Sequence, residues 1–112
     1  MVLFIGPLYS GKTECAAKYW RKTGQELSDC MICTNAQEMV RTCKTVFDLR
    51  ETADRLAKEF DVVTITEIGS GMVPVDAEER AFRENAGRFS VLLAERADEV
   101  YRVVCGIPTR LK

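Results

Sequence analysis

The sequence has 112 residues, which suits one domain with a modest core and is small for a nucleotide-binding α/β unit. Apolar residues make up 46% and charged residues 29%, ordinary values for a soluble globular protein. Lys plus Arg is 16 against 17 Asp plus Glu, a net charge of −1, so the balance favours neither nucleic acid nor an anionic membrane as the main partner. No apolar run approaches a membrane span. The opening Met1-Val-Leu-Phe-Ile meets Gly6 at once with no basic stretch before it, so the expected location is the cytoplasm.

The five cysteines, an odd count, fit reduced thiols rather than a disulfide framework. The absence of histidine constrains the chemistry more: it removes His-based acid/base catalysis, His metal ligation and any phosphohistidine or histidine–guanylate intermediate.

Val2 to Ile5 is a short apolar run ending at a glycine and predicts a buried strand. Gly6 to Gly11 is a loop, followed by a helix over about 12–22 with Cys15, Ala16, Tyr19 and Trp20 as its buried stripe and Gly24 as its stop. Cys30 to Cys33 predicts a second strand, ending at Thr34-Asn35. Val46, Leu49, Ala53, Leu56 and Phe60 recur at helical spacing and predict an amphipathic helix over about 46–60. Asp48 and Asp54 on that helix are expected to be solvated. Val62 to Thr66 is a β-branched run closed by Glu67, the strongest strand signal in the chain.

Residues 68–75 hold Gly69, Gly71 and Pro74 and form a loop. Asp76 is the expected N-cap of a long helix, with Glu78 and Glu79 in its first turn and Phe82, Ala86, Phe89, Leu93 and Ala97 as its core stripe. Gly87 interrupts it, as where another backbone packs closely. Val100 to Cys105 is the expected last strand, ended by Gly106-Ile-Pro108. The alternation predicts an α/β fold with crossover helices on a mostly parallel sheet of about four strands, in one domain over 1–112.

Gly6-Pro-Leu-Tyr-Ser-Gly-Lys-Thr13 matches G-x4-G-K-T. Gly6 and Gly11 let the backbone turn N–H groups inward around phosphate oxygens, with Ser10 between them. Lys12 supplies charge for the β- and γ-phosphates and Thr13 a hydroxyl for Mg²⁺, while the helix that follows points its positive end at the same anion. The loop therefore predicts a P-loop binding a nucleoside triphosphate, ATP or GTP, with Mg²⁺. Such a site needs a second carboxylate, and Glu67, at the carboxyl end of a strand, is the candidate for metal holding and catalysis beside Lys12. The bland alternative for Glu67 is a surface glutamate opening a loop.

Further residues carry a family resemblance. Thr66-Glu-Ile-Gly-Ser-Gly-Met-Val-Pro74, Arg80-Ala-Phe-Arg83, Ala86-Gly-Arg88, Ala97-Asp-Glu-Val100 and Gly106-Ile-Pro108 resemble the C-terminal half of the bifunctional adenosylcobinamide kinase/adenosylcobinamide-phosphate guanylyltransferases. That family carries N-E-V-G-x-G-I-V-P, R-x-F-R-D, G-R-x-N-Q and A-D-E-V there, and shares the P-loop after its first strand. The likeness is dense over about 1–20 and 62–112. It implies a RecA-like P-loop NTPase fold in three layers, reduced in size, often in a trimer. It also implies phosphorylation of the aminopropanol hydroxyl of adenosylcobinamide, then GMP transfer through a histidine. By the same resemblance Gly6, Gly11, Lys12 and Thr13 hold phosphates, Glu67 matches the motif glutamate, and Arg80, Arg83 and Arg88 match the family's helix arginines, the first two as candidate nucleotide contacts.

The departures are specific. The family's histidine follows an E-M-x-x-R pattern, whereas Glu38-Met-Val-Arg41 here leads to Cys43 and Lys44. A middle segment with an aspartate-bearing strand (D-C-L-T) is missing. Thr66 replaces the motif's Asn, and Ser90-Val91 replaces N-Q. The chain begins and ends where the family does, so the expectation is a naturally shortened paralogue.

Two functions stay open on the sequence: a nucleotide-dependent kinase acting on a corrinoid or related alcohol, and a non-catalytic nucleotide-binding sensor or scaffold. A thiol or zinc reading of Cys30, Cys33 and Cys43 is weaker, because strand residues three apart face opposite sides. Lys44 as a nucleotide-carrying lysine, and Arg80, Arg83 and Arg88 as a plain salt-bridging face beside Glu79, Glu84 and Glu95, complete the alternatives.

Overall fold

The computed structural model describes residues 1–24, 31–67 and 76–112. Strand β1 (Val2–Gly6) leads into helix α1 (Lys12–Lys22), then β2 (Ile32–Cys33), a 3-10 helix (Ala36–Thr42), α2 (Val46–Glu59), β3 (Val62–Thr66), α3 (Ala77–Arg96), β4 (Glu99–Val104) and β5 (Ile107–Arg110). The sheet order is β2-β3-β1-β4-β5, with β1 central. β1 runs parallel to β3 and to β4, with Gly6 opposite Thr66 and Ile5 opposite Arg102. The fold is α/β, as the alternation predicts.

Strand alternation sorts the core onto two faces. Leu3, Val63, Ile65 and Val100 pack with Leu49, Leu56, Phe82, Phe89 and Leu93, which places α2 and α3 on one face. Phe4, Val62 and Val103 pack with Cys15 and Ala16 of α1 on the other. Each fully buried Leu or Phe contributes about 1.5–3 kcal/mol, so the three-residue stripes of α2 and the four-residue stripe of α3 anchor these helices. Tyr19 and Trp20 of the α1 stripe are half-buried against the second core.

The helix ends follow their sequence signals. Asp48 and Thr45 form a reciprocal capping box at α2: Asp48 N–H donates to Thr45 Oγ1 at 3.1 Å and Thr45 N–H to Asp48 Oδ2 at 3.1 Å. Asp48 is thus solvent-facing but employed, and Asp54 pairs with Arg96 at 2.5 Å. Asp76 caps α3, its Oδ1 accepting from Glu78 N–H at 2.9 Å.

Four expectations are corrected. Among the described residues the sheet has five strands, not about four, because Cys105 and Gly106 both adopt positive φ (52° and 74°). That is the two-residue turn that folds a hairpin, so Gly106-Ile-Pro108 opens β5 instead of ending the sheet. Pro108 is tolerated there because β5 is an edge strand. An added Cβ on Gly87 would meet nothing within 4 Å among the described residues; Gly87 lies on the exposed side of α3, away from the core stripe. Val46 is 45% exposed, since it is the first residue after the cap and the buried stripe of α2 starts at Leu49. The second strand covers only Ile32–Cys33, with Cys30 outside the described residues. Also outside them is the loop expected at 68–75.

No helix among the described residues is long and apolar enough to cross a membrane.

Candidate functional site

The Gly6–Thr13 loop sits at the carboxyl end of β1, and close packing explains its glycines. A Cβ on Gly6 would lie 2.4 Å from the Val103 carbonyl oxygen and 2.7 Å from Ser10 Oγ. Gly11 holds φ +84° and lies against Gly106, whose Cα would be 3.3 Å from an added Cβ. Tyr9 also adopts positive φ, 61°, which turns the loop back on itself. Ser10 N–H donates to the Pro7 carbonyl at 3.2 Å, and Gly106 N–H donates to the Ser10 carbonyl at 2.7 Å, fastening the loop to the β4–β5 turn.

Leu8 to Glu14 and Asn35 line a cleft of about 360 Å³. Two features make it polar inside. Lys12 is only 7% exposed, and its Nζ donates to the Pro7 carbonyl at 3.3 Å. Burial pushes the ammonium below its ordinary lysine value, with Glu14 opposing that shift. Ser10 is 5% exposed, and its Oγ has no hydrogen-bond partner among the described residues. Counted over the described residues, the buried ammonium has one neutral acceptor and the hydroxyl has none, and each is costly alone. An anion entering the cleft would satisfy both. Thr13 is exposed at the first turn of α1.

Glu67 stands beside this loop, its N–H donating to the Gly6 carbonyl at 2.8 Å. Its carboxylate is gripped by Arg102, Nε to Oε1 at 2.8 Å and Nη2 to Oε2 at 3.2 Å. The oxygens of Thr13 and Glu67 are hard donors of the kind Mg²⁺ takes, and Glu67 would have to share or leave Arg102 to serve. Arg80 and Arg83 lie elsewhere, on α3, which packs on α2 and the 3-10 helix; neither lines the loop's cleft. Arg80 and Arg88 are exposed and Arg83 is half-buried.

Three neighbours of the loop were not singled out from sequence. Asn35 adopts φ 55° and lines the cleft. Gly106 reaches the loop through the hairpin. Arg102 reaches Glu67 only through the register of β4 on β1. The one sequence signal among these is the x-Gly turn between two apolar strands.

Where the 3-10 helix meets α3, Arg41 lies over the Phe82 ring at 3.9 Å and 3.7 Å from Glu79. A second cleft of about 300 Å³ opens there, with Cys43 and Glu78 in its wall. Cys43 Sγ donates to the Met39 carbonyl at 3.5 Å. Cys33 is buried, and desolvation pushes its thiol up. Among the described residues no group of three or more His, Cys, Asp and Glu could hold a metal ion. Lys44 is exposed, and its backbone N–H donates to Asp48.

A family model described as cobinamide kinase / cobinamide phosphate guanyltransferase matches residues 24–111. The bifunctional adenosylcobalamin biosynthesis protein CobU of Salmonella typhimurium is 45% identical over 51 residues, 46% of this chain and 28% of that protein. The protein of the same name from Escherichia coli is 43% identical over 51 residues, again 46% and 28%. The matched stretch thus spans less than a third of either relative's length. The family match starts beyond the Gly6–Thr13 loop, whose reading stands on its own geometry. With 24–111 matched, the chain belongs to the cobinamide kinase / cobinamide phosphate guanyltransferase family.

Proposed function

We propose that the chain binds a nucleoside triphosphate, ATP or GTP, at the Gly6–Thr13 loop of a RecA-like P-loop fold, and uses it as a kinase toward a corrinoid alcohol such as adenosylcobinamide. The observation that carries the reading is the nearly buried Lys12, held over its own loop in the same cleft as a Ser10 hydroxyl that has no partner among the described residues. A triphosphate supplies the charge and acceptors both lack, and the start of α1 adds its dipole. Family membership supports the acceptor class.

In this reading Gly6, Ser10, Gly11 and Lys12 hold the phosphates, and Thr13 and Glu67 hold Mg²⁺, which neutralises charge on the β- and γ-phosphates. The γ-phosphoryl passes to the acceptor hydroxyl oxygen, the nucleoside diphosphate leaves, and the hydroxyl proton goes to solvent or a carboxylate. Arg80 and Arg83 would contribute from α3 only if the acceptor or nucleotide extends toward that helix. The chain has no histidine, so guanylyl transfer through one lies outside the proposal. The exposed edge strand β5, with Ile107 67% exposed, supports a homo-oligomer, a trimer by family resemblance.

Calorimetry with ATP and GTP plus Mg²⁺, on wild type and Lys12→Ala, tests the binding. Micromolar affinity lost in the variant is the expected result; no binding of either nucleotide overturns it. Transfer of labelled γ-phosphate to adenosylcobinamide tests the kinase. A second reading, a non-catalytic nucleotide-binding sensor, is favoured by one observation: Arg102 occupies both oxygens of Glu67. Slow hydrolysis with no acceptor phosphorylated would select it.

A further inference from the structure

On the α1 face of the sheet, between α1 and the β4–β5 hairpin, lies a cleft of about 470 Å³. We infer that this cleft receives the base and ribose of the nucleotide whose phosphates occupy the Gly6–Thr13 loop, a reading that rests on the triphosphate site proposed above.

Three observations converge on it. First, the two clefts have no lining residue in common but adjoin across the Gly11–Gly106 contact. Gly106 and Cys15 line the aromatic cleft. Gly106 is also the residue packed on Gly11, and its N–H holds the Ser10 carbonyl at 2.7 Å. Cys15 Sγ donates to the Gly106 carbonyl at 3.4 Å, so one turn of α1 separates the two spaces. Second, the cleft is built of rings. Phe4 and Tyr101 stack with centroids 5.2 Å apart and planes at 16°, and Tyr19 closes the set at 5.9 Å from Phe4 and 5.6 Å from Tyr101. Tyr19 and Tyr101 both donate their hydroxyls to Glu99, which fixes the rings before any ligand arrives. A preformed aromatic wall suits a flat heterocycle. Third, Lys18 and Lys22, four apart on one side of α1, stand at its rim. Their ammonium groups donate to the ring nitrogens, carbonyls and ribose oxygens of a nucleoside, and their stems cover its faces. The volume falls in the range of small-ligand sites, about 300–1,000 Å³.

The test separates base from phosphate. Calorimetry compares ATP, GTP and inorganic tripolyphosphate, each with Mg²⁺, on wild type, Lys12→Ala and Pro108→Trp. Pro108 is an exposed rim position on the edge strand, where a large ring would fill the cleft. The expected result is that a nucleotide binds about tenfold or more tighter than tripolyphosphate, the gain expected of base stacking. Pro108→Trp erases that gain and leaves tripolyphosphate unchanged. In parallel, the ring resonances of Tyr19 and Tyr101 in the wild-type protein shift with the nucleotide and stay in place with tripolyphosphate. Equal affinity for nucleotide and tripolyphosphate, or unmoved tyrosine rings on nucleotide binding, overturns the cleft while leaving the loop intact. If neither nucleotide nor tripolyphosphate binds, both readings fall together.

Discussion

Arg102 holds Glu67 by both carboxylate oxygens, at 2.8 and 3.2 Å, next to the backbone hydrogen bond that ties Glu67 to Gly6. The pair sits at the rim of the sheet, with Arg102 about half exposed, so water competes and the pairing is weak. Removing the guanidinium frees the carboxylate for a metal. Arg102→Ala is expected to tighten Mg²⁺-nucleotide binding about two- to fivefold, the range of an exposed ion pair, with metal-free nucleotide unaffected. Glu67→Gln should remove the metal dependence. Calorimetry with and without Mg²⁺ checks both, and an unchanged Mg²⁺ effect in Glu67→Gln would place the metal elsewhere.

Lys12 gives a pH prediction of definite sign. Burial lowers its pKa from 10.5, and only the protonated amine attracts phosphate. Affinity should therefore fall as pH rises through the lowered value, before an ordinary lysine would titrate. The unliganded fold responds in the opposite direction. The unfolded state binds the proton more tightly, so stability rises with pH between the folded and unfolded values. Lys12→Met should lose about ten- to a hundredfold in nucleotide affinity, as for a hydrogen bond to a charged group, and should flatten both pH responses. Binding isotherms and denaturant melts across the alkaline range provide the check.

Much of this architecture was legible in the sequence because local and tertiary signals agree. β1 opens on an unbroken apolar run and β3 is a β-branched one, and the stripes of α2 and α3 repeat at 3.6 residues until a cap stops them. The 3-10 helix was not legible. Its Gln37 is a buried polar residue whose Oε1 accepts from Thr66 N–H at 3.0 Å, a partner 29 residues away that no periodicity reveals. β5 was missed because Ile107-Pro-Thr-Arg110 has no buried position and contains a proline; the Cys105-Gly106 turn alone places it. In the candidate site, the loop announced itself by its glycine spacing, whereas the Arg102–Glu67 contact depends on strand register.

Two glycines with opposite surroundings predict opposite outcomes. Gly6→Ala forces a methyl within 2.4 Å of a backbone oxygen and should cost about 1–3 kcal/mol, as overpacking does, together with loss of nucleotide binding. Gly87→Ala adds a methyl in open space within α3 and should stabilise by about 0.5–1 kcal/mol. Thermal melts of both variants decide it; a Gly87→Ala protein that melts lower than wild type would mean its outward face meets something further.

The capping box of α2 should be visible in acid. Backbone hydrogen bonds from Lys44 and then Thr45 hold the Asp48 carboxyl below the usual carboxylate range. A depressed folded value means the stabilisation is present above the unfolded value and is lost as pH falls through the folded one. Wild type should exceed Asp48→Ala in denaturant midpoint at neutral pH, and the two midpoints should converge in strong acid. Thr45→Ala should lose about 1 kcal/mol with far less pH dependence, because its hydroxyl does not titrate there.

Tyr19 tests the geometry of the aromatic cleft independently of any ligand. Its hydrogen bond to Glu99, then burial, push the phenol up to about 12. The same contact holds Glu99 below the usual carboxylate range, with Tyr101 adding to it. For a raised folded value, the stabilisation is complete below the ordinary tyrosine range and disappears as pH rises through about 12. For Glu99 it is present above the ordinary carboxylate value and disappears in acid. Tyr101 is also raised, by burial and then by its own bond to Glu99, so ultraviolet absorbance of tyrosinate should show two late-titrating phenols, of which one vanishes in Tyr19→Phe, and both should move back toward the ordinary range in Glu99→Gln. A titration curve whose alkaline end is the same in Tyr19→Phe as in wild type would mean that Glu99 does not hold the ring, and the preformed wall behind the nucleoside cleft would lose its support.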